Sequence, residues 1–188
     1  MKKFAIILSL LLAPTLMLAQ SLFEKYEDKD DVTSVVVNQK MFKMLSNIDI
    51  QTNDPDSDDF INQVKMLKNL TVYTTDNIDV SNSMGKDVEK YIKNSKLEEL
   101  MRIKDGDQTV NFFILEGKDE NHVKELLMFV NGLGDITKNE NISINGKQRV
   151  IETVLLSLTG DIDLRQVSKL TSQLNVPGGE QLKKATKK

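Results

Sequence analysis

The sequence predicts one α+β domain: a mainly antiparallel sheet of five or six strands, with helices packed on one face and a C-terminal helix closing it. Short runs rich in β-branched residues recur along the chain, as strands require. The stretch Asp-Gly-Asp-Gln at 105–108 separates two such runs in the way a hairpin turn does. Other segments carry apolar residues at the spacing of a helix face. No linker rich in Pro, Ser or Gly divides the chain.

The first 19 residues have the layout of a secretory signal. Lys2 and Lys3 precede an apolar run, and a cleavage site follows Ala19. We therefore expect a signal peptide at 1–19 and a single domain at 20–188, exported to the periplasm or secreted. An uncleaved anchor is the alternative, although the apolar run is short for a membrane span.

Composition excludes several classes of site. The chain has no cysteine, which removes disulfides, thiolate metal sites and an N-terminal lipid attachment, so we expect no lipid anchor. The net charge is −3, and loss of the two leader lysines makes it more negative, so nucleic acid is not an expected partner. A basic tail from about residue 181 is interpreted as solvated, with contact to anionic lipid as the alternative.

The N-terminal half begins with an arm at 22–31, whose Phe23 and Tyr26 are expected to dock on the domain. The β-branched stretch 32–38 predicts the first strand, and 40–47 predicts a helical turn.

The acidic loop 53–59 is the one candidate metal site. Its Asp54, Asp56 and Asp58 have the alternating spacing of oxygen ligands at the start of a calcium loop. Asp59 then stands where that loop needs glycine, and Lys65 where it needs a bidentate glutamate. The competing interpretation is that Asp58 caps a helix carrying Phe60, Ile61, Val64 and Leu67.

A second strand is predicted at 70–75, followed by a helix at 82–94 capped by Asp79 or Ser81. The hairpin then occupies 97–104 and 108–115. Segment 123–130 fits helical spacing as well as a strand, and we interpret it as a strand because a charged turn joins it to the preceding one.

The C-terminal part is predicted as a strand near 150–159, a tight turn at Gly160-Asp161 and a helix ending by Asn175. Asp163 has the position of an N-cap, and Gln166 completes a capping-box pattern. The alternative is a catalytic or metal-binding role for Asp161 or Asp163.

No catalytic constellation or cofactor motif is present. The only histidine, His122, lies in a charged turn, and no nucleophile elbow, phosphate loop or dinucleotide fingerprint occurs. The first functional hypothesis is therefore a non-enzymatic envelope protein that binds another protein or a ligand, without a cofactor. A hydrolase with paired carboxylates and a peripheral membrane protein are the alternatives.

The opening LFEKYEDKDDVTSVVVNQKMFKML, the central hairpin and the closing LLSLTGDIDLRQVSKL together resemble the domain-of-unknown-function family 4252. The resemblance implies a small exported protein typical of Bacteroidetes-type bacteria. Some members look like lipoproteins, and the missing cysteine departs from that pattern. The family implies no established activity and assigns no functional residues.

Overall fold

The computed structural model describes residues 22–47, 55–139, 143–144 and 147–166. The helices of eight or more residues are α1 (Gln39–Ser46), α2 (Pro55–Met66) and α3 (Ile78–Asn94); a shorter α4 spans Gly134–Asn139. The strands are β1 (Thr33–Asn38), β2 (Leu67–Thr75), β3 (Glu98–Asp105), β4 (Gln108–Glu116), β5 (His122–Asn131), β6 (Ser143–Ile144), β7 (Lys147–Gln148) and β8 (Thr153–Asp163).

Six of these strands form one sheet in the order β1-β2-β8-β5-β4-β3, and every neighbouring pair is antiparallel. Strand β8 lies between β2 and β5, so the last strand of the described residues joins the two halves of the sheet. Strands β6 and β7 form a separate small hairpin. The predicted fold class, an α+β domain built on a mainly antiparallel sheet, is confirmed.

One face of the sheet, called here the α3 face, is covered by α3 and the N-terminal arm. Met84, Val88 and Tyr91 of α3 pack with Leu127 and other buried sheet residues. The arm contributes Phe23 and Tyr26, both buried as predicted. Their rings contact aromatic rings of the domain: Phe23 lies edge-on to Tyr91 with centroids 5.4 Å apart, and Tyr26 lies beside Tyr73.

The opposite face, called here the apolar face, carries rows of apolar side chains that cross the strands. One row follows the register through all six strands and consists of Val35, Val72, Leu156, Met128, Phe112 and Met101. Helices α1 and α2 contact strands on this side, and Phe42 of α1 and Val64 of α2 join its cluster. The helices therefore lie on both faces of the sheet and not on one face as predicted, because both faces carry apolar side chains that must be covered. Both faces of the central strands are therefore apolar, as expected of strands buried on both sides.

The start of α3 differs from its prediction. The helix begins at Ile78, and its N-cap is Asn77, not Asp79 or Ser81. The Asn77 Oδ1 atom accepts hydrogen bonds from the amides of Asp79 and Val80 at 2.9 and 3.2 Å. Asparagine is among the strongest N-cap residues, so a local signal was present and was assigned too late in the chain.

The boundary between α2 and β2 also differs. Helix α2 begins at Pro55, which suits the first helical position because its ring fixes φ and no amide partner is lost. Asp58 therefore lies inside the helix and is not its cap. Leu67 was expected in this helix but begins β2, where it is buried.

The predicted turn at Gly160-Asp161 is wrong, because β8 continues through both residues to Asp163. Gly160 has φ +151° and pairs with Leu67 beside a register shift in β2. A Cβ atom at Gly160 would lie 2.5 Å from the Met66 carbonyl oxygen. The glycine therefore permits a close approach between two backbones at an irregular pairing, a second common use of glycine in strands.

Other local predictions are confirmed. Segment 123–130 lies in strand β5, and the hairpin β3–β4 turns at Gly106 with φ +57°. Asp163 caps a helical start at 164–166, its Oδ1 atom accepting from the Arg165 amide at 2.9 Å. The rest of the predicted C-terminal helix and the turn residues 145–146 lie outside the described residues.

Candidate functional site

The calcium candidates fall in a region that the structure describes only in part. Asp54 lies outside the described residues, while Asp56 and Asp58 lie within α2. The backbone there is helical, whereas a calcium-loop start needs an open loop that directs alternate oxygens to one ion. The described residues contain no group of three or more His, Asp or Glu side chains that could hold a metal ion. The calcium hypothesis stays a prediction.

His122 begins β5, where it lies opposite Asp163 of β8 and is paired with Asp119. Its Nδ1 atom lies 2.7 Å from Asp119 Oδ1 in the preceding turn. This hydrogen bond, together with the Asn121 amide on the same carboxylate, lowers the pKa of Asp119 below its usual value. The pair closes the loop between β4 and β5.

Asp163 and Asp161 also have structural partners. Arg165 reaches Asp163 with Nε and Nη2 at 2.9 and 2.6 Å, and this contact lowers the pKa of the Asp163 carboxyl. Lys118 pairs with Asp161 at 2.7 Å. The Gln63 side chain of α2 bonds to the Asp161 carbonyl oxygen and the Asp163 amide. These contacts fix the end of β8 against α2 and support the capping interpretation.

Glu125 is a buried carboxylate that the sequence analysis did not single out. Strand β5 places it on the α3 face, where it is 3% exposed. Tyr91 of α3 donates its hydroxyl proton to Glu125 Oε2 at 2.7 Å, and the Ser157 hydroxyl of β8 donates to Oε1 at 3.3 Å. The site therefore joins α3, β5 and β8 through one side chain.

Burial sets the protonation of Glu125. Desolvation penalises the charged carboxylate and raises its pKa, and the two hydroxyl donors offset this only in part. The nearby carboxyl in turn adds to the burial that raises the pKa of the Tyr91 phenol. The groups that act on Glu125 are hydroxyls, whereas the hydrolase alternative requires a second carboxylate across a cleft. The bonds of Glu125 to Tyr91 and Ser157 are suited to holding α3, β5 and β8 together.

A sequence signal for Glu125 did exist. In segment 123–130 Glu125 shares one strand face with Val123, Leu127 and Phe129, and this face is otherwise apolar. A charged residue at an inward position of a central strand is costly unless it finds hydrogen-bond partners. Those partners, Tyr91 and Ser157, are 34 and 32 residues away, so the sequence alone did not reveal them.

A second polar cluster lies under the start of α3. The Ser81 hydroxyl lies 2.6 Å from Thr153 Oγ1 and 2.8 Å from Asn131 Oδ1. Ser81 and Thr153 are buried, and together these groups satisfy one another. The cluster fixes α3 to the paired ends of β5 and β8.

The strongest surface feature is apolar and lies at one edge of the sheet. Six of the nine exposed large apolar side chains in the described part of the chain belong to β1, α1 and the last residue of α2; they are Val35, Val36, Met41, Met44, Leu45 and Met66. Three of them belong to α1 and are called here the α1 patch: Met41, with Met44 and Leu45 three and four residues after it. Contiguous exposed apolar surface marks interaction sites, and methionine is common at surfaces that adapt to a partner.

The fold defines the chain as an α+β protein with a six-stranded antiparallel sheet. None of the helices in the described residues is long and apolar enough to span a membrane. The model of the Domain of unknown function (DUF4252) family matches residues 26–170. The chain belongs to this family, and the resemblance noted from its sequence is confirmed. Neither the curated proteins nor the solved structures yielded a match.

Proposed function

We propose that the chain is an exported, non-enzymatic protein of the bacterial envelope that binds a partner protein. The observation that carries this proposal is the α1 patch, formed by Met41, Met44 and Leu45. The leader-like residues 1–19 support export, because their layout is that of a secretory signal.

The local packing explains why the patch stays in solvent. Helix α1 is eight residues long, and Phe42 is its buried residue. This single anchor fixes α1 to the apolar face, while Met44 on the other side of the helix is 56% exposed. The Asn38 side chain caps the helix by accepting from the Met41 amide at 3.1 Å. The patch is therefore presented on a short, capped helix, the kind of surface that a groove on a partner accommodates.

The partner is expected to offer an apolar groove. The three residues of the α1 patch are uncharged; Lys40 precedes them on the helix, and Lys43 lies between Met41 and Met44. Complete burial of a Met or Leu side chain contributes about 1.5–3 kcal/mol. Met41, Met44 and Leu45 are 41, 56 and 40% exposed, so a partner would add roughly half of that for each before the costs of association. This total suits a regulatory contact of moderate affinity.

The test is a native pull-down of tagged residues 20–188 from the envelope of the source cell, with mass spectrometry of the eluate. The wild-type chain and an Ile136→Asp control should retain a stoichiometric partner, and Met44→Asp should lose it. Ile136 is a matched control because it is 51% exposed on α4, away from the α1 patch. Equal recovery of the partner with Met44→Asp, or no stoichiometric partner, would overturn the proposal.

A further inference from the structure

The two edge strands of the sheet differ in how they resist pairing with another strand. Strand β3 carries five charged residues among its eight, and its pairing with β4 is irregular between Glu99 and Met101. Charges and bulges are the usual devices that protect an edge. Strand β1, with the sequence TSVVVN, has neither: it is uncharged, contains no proline, and pairs with β2 without a register shift.

Strand β1 also exposes apolar surface on both sides of the sheet. Val35 points to the apolar face and Val36 to the α3 face, and each is 49% exposed. Among the described residues β1 pairs only with β2, so its outer backbone groups have no sheet partner there. An added strand would bury both valines and continue the hydrogen-bond ladder.

We propose that β1 pairs antiparallel with β1 of a second copy of this chain, which joins two six-stranded sheets into one across a two-fold axis. Antiparallel pairing continues the arrangement of the whole sheet. In an antiparallel pair, the side chains of two opposed residues point to the same face of the sheet. The two-fold axis must therefore pass where one residue lies opposite its own copy. With the axis at Val36, Val35 of one copy lies opposite Val37 of the other, and the apolar faces of both copies become continuous.

The absence of charge on β1 makes a second copy of the same strand a suitable partner for this edge. Self-pairing of an uncharged strand brings no like charges together, whereas self-pairing of β3 would oppose charged residues. The contact is isologous, so it closes at two copies. The protected β3 edge stops further growth of the sheet. The inference concerns β1 and the purified chain alone, so it stands or falls separately from the α1 patch and its envelope partner.

The first test is sedimentation velocity of purified residues 20–188 from low micromolar to near-millimolar concentration. The wild-type chain should show a monomer–dimer equilibrium. Val36→Lys should weaken the dimer more than tenfold, because like charges then oppose each other across the axis. Leu100→Lys is the matched control: Leu100 is also an exposed apolar residue of an edge strand, β3, and this variant should dimerise like wild type.

The second test locates the contact without relying on loss of binding. The chain has no cysteine, so one introduced cysteine is its only thiol. Directly opposed residues have Cβ atoms about 4.5–5.5 Å apart, close enough for a disulfide after small adjustment. Val36→Cys should form disulfide-linked dimers on mild oxidation, and Leu100→Cys should not.

Circular dichroism confirms that each variant is folded. A chain that sediments as a monomer throughout would overturn the proposal. So would a dimer unaffected by Val36→Lys, or disulfide formation at Leu100→Cys with none at Val36→Cys. A monomeric purified chain that recovers an envelope partner in the pull-down, and loses that partner with Val36→Lys, would assign the edge to that partner and also overturn the proposal.

Discussion

Replacing Glu125 with glutamine tests whether this buried carboxylate holds the fold together in its neutral form. Glutamine keeps the size of the side chain and can still accept from Tyr91 while it donates to Ser157. It removes the ionisable group. We therefore expect Glu125→Gln to be as stable as the wild type at pH 4 and more stable at pH 7.

The sign follows from the raised pKa. Burial raises the pKa of the Glu125 carboxyl in the folded chain above that of the unfolded chain. The contribution of Glu125 to the free energy of unfolding is fully present below its pKa in the unfolded chain, and it is lost as the pH rises through its pKa in the folded chain. Between these two pKa values the folded state binds more protons than the unfolded state. There the free energy of unfolding falls by at most ~1.4 kcal/mol per pH unit from this group. The difference between variant and wild type should therefore grow with pH.

Alanine at the same position gives the opposite result. Glu125→Ala removes both hydrogen bonds and leaves the buried Tyr91 hydroxyl without its acceptor. Loss of the bond to Ser157 costs ~1 kcal/mol, and the unsatisfied buried Tyr91 hydroxyl costs ~1–3 kcal/mol. We expect a total loss of about 2–4 kcal/mol at pH 4, where removal of charge gives no compensation.

The assay is urea unfolding followed by circular dichroism at several pH values between 4 and 7, with wild type, Glu125→Gln and Glu125→Ala in parallel. Other groups titrate alike in all three proteins, so their effects cancel when the free energies of unfolding of the variants and the wild type are subtracted. A glutamine variant that is no more stable than the wild type at pH 7 would refute the reasoning. That result would mean that a cationic group stabilises the ionised Glu125 carboxylate in the folded chain.

Three further predictions concern single local features. Gly160→Ala should lower the free energy of urea unfolding by about 2–4 kcal/mol, because the φ of Gly160 is +151° and a Cβ atom would meet the Met66 carbonyl. Gly106→Ala should lower it by only ~1–2 kcal/mol, because Gly106 has φ +57° and open space around it. Equal losses in the two variants would contradict this account. Asn77→Ala should cost ~1 kcal/mol through loss of the α3 cap, and no change in unfolding would refute that assignment. Calcium titrated calorimetrically into chelator-stripped protein should give no heat, whereas saturable heat would revive the site at 53–59.

Features encoded within a few neighbouring residues could be predicted from the sequence. The turn at Gly106, strand β1 and the cap at Asp163 each depend on side chains that act on their own backbone or its near neighbours. Strand β5 was assigned correctly because a charged turn joined it to β4, although its apolar pattern also fitted a helix.

Features that depend on distant residues were decided by the tertiary structure. The residues around Gly160 predict a turn. In the structure Gly160 lies in a strand, because it pairs with the backbone at Met66 and Leu67, more than ninety residues earlier. The role of Glu125 is likewise set by hydroxyls of Tyr91 and Ser157 that only the fold brings within hydrogen-bonding distance.

The sequence by itself determined the strands, the amphipathic α3 and the absence of thiol chemistry, because composition and periodicity act locally. The tertiary structure decided which apolar residues remain outside the core. Met44 and Val36 resemble core residues in the sequence. They stay in solvent because β1 forms the edge of the sheet and because α1 turns Phe42, not Met44, toward the core. Exposure depends on what lies opposite a side chain, and no stretch of sequence contains that information.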